Sequence, residues 1–345
     1  MSKLTVLVTG GAGYIGSHAV LALKDAGWPV AVVDNLSTGT RKALQEGVPF
    51  HEGNITDRPL IERIIRDENI GAIMHFAGSI VVPESVEQPL RYYANNTLAS
   101  HSLITTAIES GVKHIVFSST AAVYGAPEKV PVSEDDPKEP INPYGASKLM
   151  TERMLSDASA AFDFNYGALR YFNVAGADRQ QRTGQRGKGA THLIKVAVET
   201  AVGLRDQVAV YGTDYPTKDG TCVRDYIHVS DLAAAHVSAL DWLSRHSDQN
   251  LVMNCGYGSG HSVLDVLDAV DRANGRPIAR QMEGRRAGDP PALIAGNERL
   301  LETLDWRPAN NDIDRIVSDA LAWERKLLEE SGAEGAMISN SPGAA

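Results

Sequence analysis

The chain is expected to fold as an α/β protein, a doubly wound parallel sheet joined to a smaller mixed α/β lobe. Three features of the 345-residue sequence predict this. Short apolar runs alternate with amphipathic stretches through the first half, the pattern of strands interleaved with helices. A glycine-rich turn follows the first run and opens the first helix. From about Asn173 the texture changes, with a Gly/Arg-rich segment beginning at Ala177.

Residues 4–8, 30–33, 72–76 and 114–118 read as buried strands, because each is a short apolar run bounded by polar or turn residues. Right-handed crossovers between such strands cover both faces of a parallel sheet and leave ligands at the strands' carboxyl ends. Further on, a helix from Leu193, a strand at 208–211, a strand at 251–254 and a helix at 263–274 follow. The expected division is a sheet domain of residues 1–172 with a returning segment near 225–275. Residues 173–224 and 276–330 form the lobe, and the small, polar stretch 331–345 is an unstructured tail.

The composition, 43% hydrophobic and 22% charged, is that of a folded soluble chain. A net charge of −10 supplies no basic field for nucleic acid or for an anionic membrane surface, and no apolar run is long enough to span a bilayer. The two cysteines, Cys222 and Cys255, form no Cys-x-x-Cys pair, and the ten histidines show no ligand spacing. A cytoplasmic protein with no metal site is expected.

Thr9-Gly10-Gly11-Ala12-Gly13-Tyr14-Ile15-Gly16 follows the first strand and opens a helix. In that position glycines allow a tight turn and close approach of a pyrophosphate, and the helix N-terminus offers free N–H groups. Asp34, at the end of the second strand and about 20 residues on, suits the ribose hydroxyls of NAD and disfavours a 2′-phosphate. This is the Rossmann-type arrangement, with NAD as cofactor.

Asn142 and Pro143 are helix-start residues, so Tyr144 and Lys148 lie four apart on one helical face. A phenol titrates near 10, and nearby positive charge, from Lys148 and an oxidised nicotinamide, favours the phenolate and makes Tyr144 a base. Ser118-Ser119-Thr120 ends the strand at 114–118, which brings the Thr120 hydroxyl to the carboxyl edge, where it can bond the same reacting oxygen.

With these residues in view, the chain resembles the UDP-glucose 4-epimerase family of the extended short-chain dehydrogenase/reductase superfamily, to about Trp306. The segments that carry the likeness are VTGGAGYIGSH, VVDNLSTG, HFAGS, SSTAAVYG, NPYGASKL, ALRYFNVAGAD, VYGTDYPTKDGTCVRDYIHVSDLA and RRAGDPPALIA. The resemblance implies a tightly held NAD, reduced and reoxidised within each turnover, and interconversion of UDP-glucose and UDP-galactose through an enzyme-bound 4-keto sugar that rotates. Tyr144, Lys148 and Thr120 are then the catalytic residues.

The resemblance also implies cofactor contacts at Gly10, Gly13, Tyr14, Ile15, Gly16, Asp34, Asn35, Ser37, Thr38 and Gly39. Asn54 and Ile55 fall at the adenine, and Phe76, Ala77, Gly78, Asn95, Ser118 and Tyr171 lie along the rest of the dinucleotide. For the substrate it implies Asn173, His192 and Leu193. It adds Val208, Ala209, Val210 and Tyr211 flanking uracil, and Arg224, Arg286 and Asp289 for phosphate and ribose. A homodimer is also implied. The sequence departs from many relatives in having Asn54 rather than an acid, Ile80 where one branch has lysine, and Leu293 where side-chain size bears on acceptance of N-acetylated sugars.

Three other functions share parts of this pattern. A 4,6-dehydratase needs an acid beside the threonine, and Ala121 and Ala122 supply none. A ketoreductase would use the same three side chains but release its oxidised cofactor. A dinucleotide-sensing regulator would have no use for Tyr144, Lys148 and Thr120 together.

Overall fold

The computed structural model describes residues 3–187, 190–286 and 289–339. Seven strands form the main sheet: β1 (Thr5–Thr9), β2 (Val30–Asp34), β3 (Phe50–Glu52), β4 (Ile70–His75), β5 (His114–Thr120), β6 (Asn165–Tyr171) and β7 (Leu251–Cys255). Their order across the sheet is β7-β6-β5-β4-β1-β2-β3, and every pairing is parallel. The order reverses between β1 and β4, so the crevice for a ligand opens at the carboxyl ends of those two strands.

Alternation along the strands divides the core in two. Val6, Val8, Val30, Val32 and Met74 face helices α1 (Tyr14–Asp25) and α6 (Val229–Arg245). Leu7, Val33, Ile73, Ile115 and Phe117 face α2 (Arg58–Asp67), α3 (Ala99–Glu109) and α4 (Pro143–Ala161). Residues of both registers are buried, which is why these runs read as continuously apolar.

The lobe is built around a third core that joins α5 (Leu193–Ala201), α7 (Val263–Asn274) and α8 (Ile313–Ser339). Two boundaries differ from the sequence reading. Helix α7, expected with the sheet domain, packs Val266, Leu267 and Val270 into the lobe core. Conversely, Leu300, Leu304 and Trp306, expected in the lobe, are buried against the sheet domain. The apolar pattern of each helix shows that it has a core to face but not which one. The expected tail also differs, since α8 continues through Ser339; residues 340–345 lie outside the described residues. Buried Ile316, Val317, Leu321 and Trp323 hold this helix in register, and once nucleated a helix propagates through residues with little apolar pattern of their own.

Candidate active site

Helix α1 begins at Tyr14 with Gly13 in the capping position and no side chain capping it, so its first N–H groups are not taken by a side-chain cap. The loop fits a dinucleotide because it is a cradle that side chains would fill. Gly10 has φ +69°, and a Cβ there would sit 2.7 Å from the Ala77 nitrogen; at Gly16 a Cβ would sit 2.2 Å from the Gly10 oxygen. Asp34 accepts the Ala12 N–H at 3.0 Å and the Leu36 N–H at 2.8 Å, one on each oxygen. The acid therefore holds the loop and still has lone pairs for ribose hydroxyls. Segment 35–39 crosses the loop, with the Asn35 side chain accepting from Ser37 N–H at 3.0 Å and Thr40 N–H donating to the Ala12 oxygen at 3.0 Å.

The Asn54 side-chain oxygen accepts the Thr56 N–H and hydroxyl, each at 3.0 Å. Ile55 is buried in the core under α2. A short Asx turn before the α2 cap, Asp57, explains both, because it directs the Asn54 oxygen back onto its own chain.

The reacting cluster gathers at the carboxyl end of β5. Asn142 caps α4 by accepting the Gly145 N–H at 2.9 Å, and Pro143 occupies the first turn, as expected. Lys148 is buried, donates to the Ser118 carbonyl at 3.0 Å, and lies 4.9 Å over the Phe117 ring. Burial pulls its ammonium down to about 8. Tyr144, also buried, is bonded to the Thr120 hydroxyl; burial raises the phenol, and the Thr120 bond pulls the other way. Within this chain, therefore, desolvation outweighs the lowering by Thr120. The Ser118 hydroxyl meets the Tyr171 hydroxyl, which places Tyr171 in the same cluster.

Two residues here carry no sequence signal of their own. Asn96 is buried in a π-helical turn, Tyr93–Leu98, accepts the Ser79 N–H at 2.8 Å and donates to Ser147 at 3.0 Å. A Cβ on Gly78 would lie 3.1 Å from its oxygen and 3.7 Å from the Lys148 nitrogen, so Asn96 borders the cluster. Asn95, the expected contact, is exposed and reaches only Ser79. The π turn decides which of two adjacent asparagines turns inward. His75 bridges Thr9 at 2.7 Å and Ser100 at 2.9 Å, and burial, with the Lys148 charge, lowers it to about 3, so it is neutral.

In the lobe, Asn173, His192 and Leu193 line one cavity together with Tyr14, whose phenol donates to the Gly176 carbonyl at 2.6 Å. Arg224 pairs with Asp289 at 3.4 Å, not with its neighbour Asp225. Asp225 is wholly buried and accepts N–H groups from Tyr257, Gly258 and Ala295. Arg286 stacks on the Tyr211 ring at 3.7 Å. Val208 and Val210 bury their side chains in the lobe core, while Ala209 and Tyr211 of the same strand are partly exposed. Leu293 pairs in register with Arg224 and packs against the cluster containing Ala121 and Tyr124.

Residues 6–256 match the NAD dependent epimerase/dehydratase family. The chain belongs to that family. Among its relatives is the UDP-glucose 4-epimerase of Azospirillum brasilense, 56% identical over 96% of this chain and 95% of the relative. A UDP-glucose 4-epimerase from Stenotrophomonas maltophila, solved with bound NAD and formylated UDP-arabinopyranose, superposes with a TM-score of 0.91 at 37% identity. That match covers 95% of this chain and 99% of the other. The Brucella ovis UDP-glucose 4-epimerase, in complex with NAD, gives 0.89 at 42% identity, covering 92% and 98%. The family's cofactor agrees with the glycine cradle and Asp34.

Proposed function

We infer that this chain is an NAD-dependent isomerase that interconverts UDP-glucose and UDP-galactose by inverting carbon 4 of the hexose. The observation that carries this reading is the buried group of Thr120, Tyr144 and Lys148 at the end of β5, with Gly78 beside Lys148 and with Leu293, the register partner of Arg224, packed on the turn that follows Thr120. When bound, NAD supplies the acceptor and donor of the carbon-4 hydride and a positive ring charge that favours the phenolate. Gly10, Gly13, Gly16, Asp34, Gly78 and Lys148 are the residues suited to hold it.

The chain's own contribution is proton management and orientation. Tyr144 takes the proton of the 4-hydroxyl and returns it to the opposite epimer, while Thr120, bonded to the phenol, aligns the sugar oxygen. Lys148, tied to the Ser118 carbonyl, keeps its charge next to the pair. Ala121 and Ala122 offer no acid for elimination, and Ala121 lies in an apolar cluster, so the sugar keeps its 6-hydroxyl. Arg224 and Arg286 suit the diphosphate, a use for guanidinium groups in a chain of net charge −10.

The same reading includes a homodimer. Val86, Leu90, Leu98 and Met150 are 62%, 80%, 65% and 46% exposed, and Thr97 touches Met150, so segment 82–98 and α4 share an apolar surface that a second copy would cover. Among the described residues no helix is long and apolar enough to cross a membrane. Cys222 and Cys255 are buried free thiols, which suits a reducing cytoplasm.

The test is to supply UDP-galactose to purified protein without added cofactor and to analyse the nucleotide sugar. Formation of UDP-glucose with no net NADH supports the reading. A ketoreductase given the same sugar and added NAD would instead release a keto sugar with a stoichiometric amount of NADH. Tyr144→Phe should retain NAD and lose roughly two to four orders of magnitude in turnover.

A further inference from the structure

Behind the reacting cluster lies a second, fully internal polar assembly. Glu152 stands one turn beyond Lys148 on α4, and its carboxylate accepts the hydroxyl of Ser119, the residue before Thr120. Arg170 of β6, next to Tyr171, grips the same carboxylate through Nε at 3.0 Å and Nη2 at 2.6 Å. Its Nη1 donates to the Tyr124 hydroxyl at 2.9 Å, and that hydroxyl donates to Asn254 of β7 at 2.6 Å. Glu152 and Arg170 are only 5% and 4% exposed. None of these groups reaches the cavity, and none has a place in the proton transfer described above.

We propose that Glu152 and Arg170 are positioning residues that set the distance between Tyr144 and Thr120. The proposal rests on the epimerase reading and deepens it. Helix α4 is tied to β5 at two successive strand positions, Lys148 to the Ser118 carbonyl and Glu152 to the Ser119 hydroxyl. Two ties one helical turn apart fix both the slide and the roll of the helix, and Tyr144 lies one turn before the first of them. Arg170 then locks Glu152 to β6 and to the turn Ala121–Tyr124 that immediately follows Thr120. Every backbone segment that carries a reacting side chain therefore ends on one ion pair. A buried ion pair is a poor source of stability, since desolvation offsets its attraction, but it specifies geometry.

The experiment separates positioning from folding. Glu152→Gln combined with Arg170→Met removes both charges together, so no uncompensated charge remains buried. Ser119→Ala cuts only the tie to β5 and leaves the ion pair whole. Both variants are assayed for kcat and KM with UDP-galactose across pH, for melting temperature and for retained NAD. The double variant should melt close to wild type and keep its NAD, yet lose ~10- to 100-fold in kcat with KM changed less than about threefold, since misplacement near 1 Å costs about that much. Ser119→Ala should lose several-fold in kcat, with the pH profile of kcat displaced. Wild-type kcat in Ser119→Ala, or a loss in either variant that falls on KM, overturns the proposal, and Ser119→Ala decides alone if the double variant does not fold. Failure of the wild-type protein to turn over UDP-galactose would refute the epimerase reading itself.

Discussion

Gly16→Ala tests the cradle at its tightest point. An added Cβ would lie 2.2 Å from the Gly10 carbonyl oxygen, with the Gly10 carbonyl carbon and the Gly11 Cα both at 2.9 Å. Real contacts of this kind stay beyond 3.0 Å, so the loop must retreat by about 0.8 Å, and all the obstructing atoms are backbone that no rotamer change can move. Retreat strains the Gly13 N–H bond to the same oxygen, now 3.1 Å long, and displaces Gly10, whose own φ of +69° and contact with Ala77 leave no slack. Alanine gains about 1 kcal/mol of helix propensity at a position inside α1, whereas overpacking costs about 1–3 kcal/mol. The expected net loss of stability is therefore about 0–2 kcal/mol, small beside the functional loss, because the displaced atoms are the ones that face the pyrophosphate. Gly13→Ala is the control for melting temperature alone, since its Cβ would meet only the Gly10 oxygen at 3.2 Å although the position also faces the cofactor. The assay measures NAD released by acid from each purified variant, with melting temperature alongside. Gly16→Ala that keeps a full complement of NAD and a wild-type melting temperature would refute the cradle.

Lys148→Met should abolish turnover and change the pH dependence of stability in a defined direction. Burial lowers the ammonium from 10.5 to about 8, a penalty of roughly 3 kcal/mol on keeping it charged in the cofactor-free fold. With a folded value below the unfolded one, wild-type stability rises between pH 8 and 10.5, so any advantage of the methionine variant in denaturant titrations should shrink across that window. Asp34→Ala removes one bond to the glycine loop, at Ala12, and one to Leu36; NAD should bind ~10- to 100-fold more weakly by calorimetry while kcat at saturating NAD stays within a few-fold. Arg224→Met should raise KM for UDP-galactose ~10- to 100-fold with little change in kcat, because a diphosphate contact is the same in ground and transition states. Equal losses in both constants would move Arg224 into the chemistry.

The parallel sheet, the glycine cradle with Asp34, the α4 start at Asn142 and Pro143, and the Tyr144/Lys148 pair were all legible in the sequence. Each depends on near neighbours, on a helical repeat of four, or on a strand-turn-helix order that the chain states directly. What remained hidden required knowledge of distant partners. Helix α7 has the same amphipathic pattern whichever core it enters, and only its packing against α5 and α8 assigned it to the lobe. Val208 and Val210 share a strand with Ala209 and Tyr211, but side chains alternate across a strand, and the lobe core took the valines. Asn95 and Asn96 are chemically identical, and the π turn alone chose which is buried. Arg224 had an acid beside it in sequence yet pairs with Asp289, because Asp225 turns inward to three backbone N–H groups. Local chemistry thus determined what this protein has to work with. Long-range packing decided which atoms meet, since an element's own pattern states that it has a face to bury but not against which partner.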